Sequence, residues 1–300
     1  MGGVSAEREI SLKTGEAIVE ALRKKGYDVC PIDVGYDVAE RLIGERIGIA
    51  FIALHGRLGE DGTIQGLLEM MRVPYTGSGV LASALSMDKI MSKWIFAAHA
   101  ISTPAFWILE PTEDISGALD KVNLPLPIVV KPASEGSTIG VTIPRDRGKL
   151  AQAIEHARQF DRRVLLEEYI VGKEITLGVL DGQPLPIIEI VPKDGFYDYR
   201  AKYTKGETDY VLPPRIPQQV QEEATEIGIR AYNTLGCEGC ARVDMMADKQ
   251  GKPFVLEVNS MPGMTATSLV PKAARFAGIE FPELVERILQ GASLKVEIRG

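Results

Sequence analysis

The sequence predicts a mixed fold, in which an N-terminal open α/β layer is followed by two α+β regions. Helix and strand patterns alternate along the first part of the chain. A strand, a loop of small residues and a return strand follow from Ile128, and two arms of alternating apolar and polar residues flank a polar turn at 248–252. Because βα alternation indicates a parallel sheet and adjacent alternating arms indicate hairpins, we expect both sheet classes in this chain.

The composition is that of a globular protein with an acidic balance. The chain has 300 residues, 34 Lys and Arg against 41 Asp and Glu, and a net charge of −7. This length favours two domains or three small ones. Basic residues do not cluster with aromatic ones, so we expect neither nucleic acid nor a membrane as a partner.

Two further features indicate a cytoplasmic protein. The sequence contains no apolar stretch of about 18 residues and no basic segment leading into an apolar run at its N-terminus. Its three cysteines are too few for a disulfide framework, and the pair Cys237 and Cys240 is interpreted as incidental.

In the N-terminal layer, residues 11–25 have helical spacing of apolar side chains and end at Gly26. Residues 27–34 and 47–54 are predicted strands, the second almost wholly apolar and therefore central in a parallel sheet. The loop from His55 to Gly62 follows that strand, where open α/β sheets place their ligands.

Beyond this layer, the pattern predicts a helix over 81–100 and strands over 128–131 and 139–143. We place domain boundaries near 88 and 168, which gives domains 1–88, 89–167 and 168–300. The loop between the two strands offers backbone N–H groups and hydroxyls to an anion, with Lys131 close by. Ordinary hairpins use the same residue types, so the loop alone does not establish a phosphate site.

Two other segments carry candidate ligand contacts. The predicted strand over 164–170 ends in acids, and carboxylates such as Glu167 and Glu174 can accept hydrogen bonds from an adenine amino group or ribose hydroxyls. A solvated strand end is the alternative. Residues 196–203 are aromatic and basic, which is typical either of a lid that excludes water or of a surface loop packed on its own side chains.

The arms around the turn at 248–252 predict a metal-binding hairpin. If Gln250 and Gly251 form its tip, Asp244 lies opposite Glu257 and Arg242 opposite Asn259, all on one face. Opposed carboxylates repel each other unless a cation lies between them. Two carboxylates and an amide suit Mg²⁺, whereas an exposed hairpin with scattered acids is the alternative interpretation.

Taken together, these segments resemble the ATP-grasp superfamily and, within it, the D-alanine:D-alanine ligase family. The resemblance covers nearly the whole chain and rests on residues 2–9, 53–62, 74–79, 86–89, 131–140, 197–203, 241–244 and 257–265. It implies an ATP-grasp fold with an N-terminal Rossmann-like domain. The apolar first strand that usually precedes the glycine motif is absent from this chain.

The resemblance also implies an activity, ATP-dependent ligation of two D-alanines through an acyl phosphate for peptidoglycan precursor synthesis. ATP would lie between the second and third domains with two Mg²⁺ ions, which Mn²⁺ can replace, and the enzyme would be a homodimer. The implied nucleotide contacts are Lys89, Lys131, Glu167, Tyr169, Ile170 and Glu174. The implied metal ligands are Asp244, Glu257 and Asn259.

For the amino acids, the resemblance implies that Glu7 receives the ammonium of the first D-alanine and that His55 lies nearby. Lys202 and Ser268 would bind the carboxylate of the second D-alanine. The implied catalytic residues, besides Glu7, are Ser137 and Tyr203, which link the phosphate loop to the lid, and Arg242 and Gly263, which stabilise oxyanion charge.

Two alternatives remain open at this stage. A D-alanine:D-lactate ligase would form an ester, although Tyr203 in the lid favours the dipeptide. A nucleotide-binding protein without ligase turnover is the other alternative, because a missing inner strand would expose neighbouring strand edges and loosen the loop that carries Glu7.

Overall fold

In the computed structural model of the protein, residues 1–136, 138–193, 204 and 206–296 are described. They form an N-terminal region of helices and extended segments, a three-stranded antiparallel sheet and a six-stranded antiparallel sheet. The predicted mixture of helices and sheets is confirmed, and both sheets are antiparallel. No helix in the described part of the chain has the length and hydropathy needed to cross a membrane.

The N-terminal region contains four helices: α1 (Arg8–Lys24), α2 (Val38–Gly44), α3 (Thr63–Met71) and α4 (Val80–Met87). The helix predicted over 11–25 is confirmed as α1, which buries Ile18, Ala21 and Leu22. The last turn of α1 ends in Arg23 and Lys24, where positive charge stabilises the helix dipole.

The two strands predicted over 27–34 and 47–54 are not regular strands. Among the described residues, their only ladder contacts are isolated parallel bridges, one between Gly2 and Val34 and one between Ala50 and Tyr75. Apolar residues of both segments line a cavity of about 600 Å³. A strand needs a neighbour for its N–H and C=O groups, and these segments do not pair with each other, so the prediction from hydrophobicity alone was wrong.

The loop that carries Glu7 is nevertheless tied to the rest of this region. Ser5 Oγ donates a hydrogen bond to the carbonyl oxygen of His55 at 2.6 Å, and Arg8 Nη1 donates to Asp33 Oδ1 at 2.7 Å. The amide of Val34 donates to the carbonyl oxygen of Met1 at 2.9 Å. The expected loosening of this loop is not seen in these contacts.

The helix predicted over 81–100 is two helices, α4 and α5 (Lys89–Ala98). Asp88 separates them with an extended backbone, and its Oδ1 accepts hydrogen bonds from the amides of Ile90 at 3.0 Å and Met91 at 3.1 Å. An aspartate in this geometry is an N-cap, which satisfies two amides that have no partner inside the helix. The cap therefore fixes where Lys89 projects.

The three-stranded sheet has the order β1 (Phe106–Leu109), β3 (Val164–Glu168), β2 (Ile128–Pro132). Helices α6 (Ile115–Leu119) and α7 (Leu150–Arg158) pack on it through a core that includes Val130, Ile154 and Leu166. The return strand predicted over 139–143 is reduced to one antiparallel bridge between Val130 and Thr142. Positive φ angles at Thr138 (63°) and Gly140 (72°) turn the chain out of the strand conformation there.

The described C-terminal part of the chain forms a six-stranded sheet and three helices. Their bounds are β4 (Gly172–Leu180), β5 (Gln183–Pro184), β6 (Ile188–Pro192), β7 (Thr208–Val211), α8 (Gln218–Thr234), β8 (Cys240–Asp248), β9 (Pro253–Asn259), α9 (Leu269–Phe276) and α10 (Phe281–Gln290). The strand order is β7-β6-β4-β8-β9, with β5 paired to β4. Helix α8 packs on the core that contains Ile175 and Val243, and α9 and α10 pack with Ile188 and Ile190.

Gly172, the first residue of β4, provides a test of the β4–β8 pairing. A Cβ at this position would lie 1.9 Å from the carbonyl oxygen of Ala247, so Gly172→Ala forces the two backbones apart. We expect a loss of about 1–3 kcal/mol in the free energy of unfolding, measured by urea denaturation. Gly48→Ala is the matched control, because a Cβ at Gly48 meets nothing within 4 Å. Equal midpoints for the two variants would contradict the close approach.

Candidate active site

The β8–β9 hairpin places four polar side chains on one face of the six-stranded sheet. Asp244 pairs with Glu257 and Arg242 with Asn259, as the sequence predicts. The predicted tip is wrong, since Met245 pairs with Val255 and the turn is centred on Gln250 alone. A β-bulge between Asp244 and Met245 adds Leu256 as an extra residue, and this one-residue shift restores the predicted pairing beyond it.

Asp244 and Glu257 each lie beside a cation. Asp244 is buried and accepts hydrogen bonds from Arg242 Nε at 2.9 Å and Nη2 at 2.8 Å, and from Thr176 Oγ1 at 2.7 Å. Glu257 Oε2 lies 3.2 Å from Lys89 Nζ. Burial lowers the pKa of Lys89, but the nearby carboxylates of Glu257, Glu167 and Glu60 together outweigh burial, so the pKa is raised above its ordinary value. The site therefore brings two carboxylates together with two positively charged side chains.

The donor set fits Mg²⁺ held together with phosphate oxygens. Asp244, Glu257 and Asn259 offer two carboxylates and an amide, the hard oxygen ligands that Mg²⁺ prefers. Among the described residues, no group of three or more His, Cys, Asp and Glu side chains could hold a metal ion. A partial ligand set of this kind leaves coordination positions for a substrate, as Mg²⁺ sites on nucleotides require.

A cavity of about 330 Å³ lies between the three-stranded and six-stranded sheets; we call it the inter-sheet cavity. Lys131 on β2 and Glu167 on β3 line one wall, and Asp244 and Glu257 line the other. All six predicted nucleotide contacts line it: Lys89, Lys131, Glu167, Tyr169, Ile170 and Glu174. The strand pattern at 164–170 and the hairpin thus converge on one space, although they are distant in sequence.

At the base of this cavity, Glu167 is buried between two lysines. Its Oε2 forms an ion pair with Lys131 and its Oε1 forms one with Lys93, whose ammonium also donates to Thr103 Oγ1 at 2.6 Å. Burial raises the pKa of Glu167, but Lys131 and Lys93 together lower it by more. The net pKa lies below the ordinary value, so the carboxyl group stays ionised. Sequence reasoning missed Lys93. The available signal was its position four residues after Lys89, on the same face of a helix.

A second cavity of about 500 Å³, which we call the polar cavity, adjoins the first. Lys89, Gly136 and Glu257 line both cavities. The polar cavity also contains six other predicted site residues: Glu7, His55, Arg242, Asn259, Gly263 and Ser268. The predicted amino-acid contacts that the structure describes therefore share one space, which adjoins the inter-sheet cavity at Glu257 of the β8–β9 hairpin.

His55 is held from both sides of its ring. Nδ1 lies 3.0 Å from Glu60 Oε1, and Nε2 lies 3.2 Å from Thr14 Oγ1. The side chain is buried yet lines the polar cavity. Such an arrangement fixes the orientation of the imidazole at the cavity wall.

The phosphate loop predicted from the sequence comes close to Glu7. A Cβ at Gly136 would lie 3.1 Å from Glu7 Oε2, and Lys89 Nζ donates to the carbonyl oxygen of Glu135 at 2.7 Å. At the opposite wall, a Cβ at Gly263 would lie 3.2 Å from Ser268 Oγ. Small residues at both places keep the cavity open. Ser137, Lys202 and Tyr203, and the predicted lid over 196–203, lie outside the described residues.

Two family models match the chain. The model of the D-Ala–D-Ala ligase C-terminus matches residues 95–290, and the model of the N-terminus matches residues 37–78. The chain belongs to the D-alanine–D-alanine ligase family. This is an ATP-dependent ligase family, so the predicted enzyme class is confirmed.

Relatives of this family are similar over almost the full length. A D-alanine–D-alanine ligase of Syntrophotalea carbinolica is 54% identical, with 98% of this chain and 95% of that protein covered. One of Pelotomaculum thermopropionicum is 51% identical, with coverage of 100% and 97%. The family predicted from the sequence is therefore confirmed, and the predicted activity, ATP-dependent joining of two D-alanines, is the activity of that family.

Solved structures of the family confirm the predicted ATP-grasp fold. A D-alanine–D-alanine ligase from Bacillus anthracis complexed with ATP superimposes with a TM-score of 0.85 at 38% identity, covering 97% of this chain and 94% of that one. A VanG D-Ala:D-Ser ligase from Enterococcus faecalis gives a TM-score of 0.83 at 28% identity, with 97% of both chains covered. This structural neighbour is thus named for D-serine, not D-alanine, as its second amino acid.

Proposed function

We propose that this protein joins two D-alanines with ATP through an acyl-phosphate intermediate, and that the two cavities hold the two kinds of substrate. One observation carries the proposal: the inter-sheet cavity and the polar cavity share Lys89, Gly136 and Glu257. A γ-phosphate at the end of one cavity would meet a carboxylate in the other. A shared wall of this kind supports direct transfer between bound substrates.

The inter-sheet cavity is the proposed nucleotide site. Tyr169 and Ile170 contact the adenine edge, Glu167 and Glu174 accept hydrogen bonds from the nucleoside, and Lys89 and Lys131 bind phosphate. Asp244, Glu257 and Asn259 hold two Mg²⁺ ions, or Mn²⁺ in their place. When bound, these ions offset negative charge on the transferred phosphoryl group.

The polar cavity is the proposed amino-acid site. Glu7 binds the ammonium of the first D-alanine near His55, and Ser268 with Lys202 binds the carboxylate of the second. A carboxylate oxygen of the first D-alanine attacks the γ-phosphorus and releases ADP. The free amine of the second D-alanine then attacks the acyl carbon and releases phosphate.

The tetrahedral intermediate of this second step carries an oxyanion. Arg242 and the backbone N–H of Gly263 stabilise it; both residues line the polar cavity. Ser137 and Tyr203 connect the phosphate loop to the lid over 196–203. A closed lid protects the acyl phosphate from water.

A substrate panel tests this proposal. We expect ADP and phosphate to form with ATP, Mg²⁺ and D-alanine together, with D-alanyl-D-alanine identified by mass spectrometry. D-alanine paired with D-lactate or with D-serine serves as the competing substrate set. Preferential ester formation would replace the dipeptide assignment by a depsipeptide ligase, and ATP binding without turnover dependent on D-alanine would refute a ligase.

We also propose the division into domains 1–88, 89–167 and 168–300, because the three-stranded sheet ends at Glu168 and the six-stranded sheet begins at Gly172. Action in the cytoplasm is proposed because ATP is consumed and the three cysteines are free. Assembly as a homodimer stays a prediction, which light scattering of the purified protein measures.

A further inference from the structure

Lys93 is a buried charge that none of the proposed substrate contacts uses. The side chain lies on α5 with 0% of its surface exposed, and it lines neither the inter-sheet cavity nor the polar cavity. A buried ammonium is costly unless it is paired. The buried Lys93 ammonium therefore requires a negatively charged partner.

That partner is Glu167, which Lys93 shares with Lys131. Lys93 contacts Oε1 from the interior, whereas Lys131 contacts Oε2 from the side of the inter-sheet cavity. Two ammonium groups against one carboxylate give this buried trio a net charge of +1. Burial lowers the pKa of Lys93 to about 8, so the ammonium is still the main form at neutral pH.

The geometry of Lys93 is fixed by neighbours other than the carboxylate. Its Nζ donates to Thr103 Oγ1 at 2.6 Å, and Thr103 Oγ1 donates to the carbonyl oxygen of Val255 on β9 at 2.8 Å. The ammonium also lies 5.5 Å from the centre of the Phe106 ring. Lys93 thus connects the trio to the strand that carries Glu257.

We propose that Lys93 is a positioning residue of the nucleotide site: by neutralising Glu167 from inside the protein, it leaves the charge of Lys131 available to the phosphates of ATP. Without Lys93, Glu167 and Lys131 form a neutral pair, and the cavity wall loses its surplus positive charge. This inference rests on the proposed use of the inter-sheet cavity for ATP.

A charge effect of this kind acts on phosphates and not on the nucleoside. We therefore expect Lys93→Gln, which retains an N–H donor for Glu167, to weaken ATP binding about tenfold at pH 7 while adenosine binding changes little. Lys93→Arg keeps the charge and should retain most of the ATP affinity. Lys24→Met, which removes an exposed lysine of α1, is the matched control and should change neither.

The measurement is isothermal calorimetry of each folded variant with ATP and with adenosine, together with the KM for ATP and kcat. The readout is the dissociation constant of adenosine divided by that of ATP. A merely structural defect would weaken binding of both ligands alike and leave this ratio unchanged. An unchanged ratio in Lys93→Gln, or an equal loss in Lys93→Arg, would overturn the proposal.

The double variant Lys93→Met/Glu167→Gln covers the case in which Lys93→Gln does not fold. It contains no unpaired buried carboxylate and returns the trio to a charge of +1. The change at Glu167, a proposed nucleoside contact, affects ATP and adenosine alike, so the ratio should stay within about threefold of the wild type. A ratio reduced about tenfold would contradict the proposal. Failure of the proposed function is distinguishable, because the wild-type protein would then bind ATP without turnover dependent on D-alanine, or not bind it at all.

Discussion

Glu257→Gln is expected to lower kcat about a hundredfold or more, with a higher Mg²⁺ concentration needed for half-maximal activity. Glu257 lines both cavities and is paired across the hairpin with Asp244. An amide keeps the shape of the side chain but removes the negative charge that binds a hard cation. The substitution also removes the carboxylate that lies 3.2 Å from Lys89 Nζ. The Lys89 ammonium is then held less firmly at its proposed place beside the phosphates.

The measurement is the rate of D-alanine-dependent ADP release over a Mg²⁺ titration. Asp209→Asn is the matched control, because Asp209 is an exposed carboxylate on β7 of the same sheet and lines neither cavity. The control should retain its activity and its Mg²⁺ dependence. Wild-type kcat and an unshifted titration in Glu257→Gln would refute the metal-binding hairpin.

Arg242→Lys is expected to lower kcat about a hundredfold while the KM for ATP changes little. The guanidinium faces the polar cavity and is oriented by two hydrogen bonds to Asp244, from Nε at 2.9 Å and from Nη2 at 2.8 Å. A lysine keeps the positive charge but lacks the planar fork, so it cannot bind Asp244 and meet a developing oxyanion in one fixed geometry.

Steady-state kinetics with both substrates varied separates the two parameters. Arg230→Lys on the exposed face of α8 is the control for the same exchange and should be silent. A higher KM with unchanged kcat would assign Arg242 to ground-state binding and contradict a role in stabilising the transition state.

The sequence predicted the pairing within the β8–β9 hairpin better than it predicted the N-terminal region. The pairs Asp244 with Glu257 and Arg242 with Asn259 followed from a local alternation of apolar and polar residues, which neighbouring arms of a hairpin share. The strands predicted over 27–34 and 47–54 rested on apolar content alone. Hydrophobicity indicates burial, but a strand also requires a hydrogen-bonding neighbour from elsewhere in the chain, and these segments flank a cavity.

Two differences between the predicted and the observed elements arise where a single residue changes the course of the backbone. Asp88 divides the helical pattern of 81–100 because its side chain caps α5, a competition that apolar spacing does not reveal. The bulge at Asp244 and Met245 likewise adds Leu256 to one strand only. The predicted pairing was correct because the bulge compensated for a misplaced turn tip.

The sequence by itself determined the family, the oxygen donors of the hairpin and the small residue types of the loop after β2, since these depend on residues close together in the chain. The tertiary structure decided that Lys93 meets Glu167 and that two cavities share Lys89, Gly136 and Glu257. These contacts join a helix, a three-stranded sheet and a six-stranded sheet. Packing between distant elements sets them, and no local periodicity encodes it.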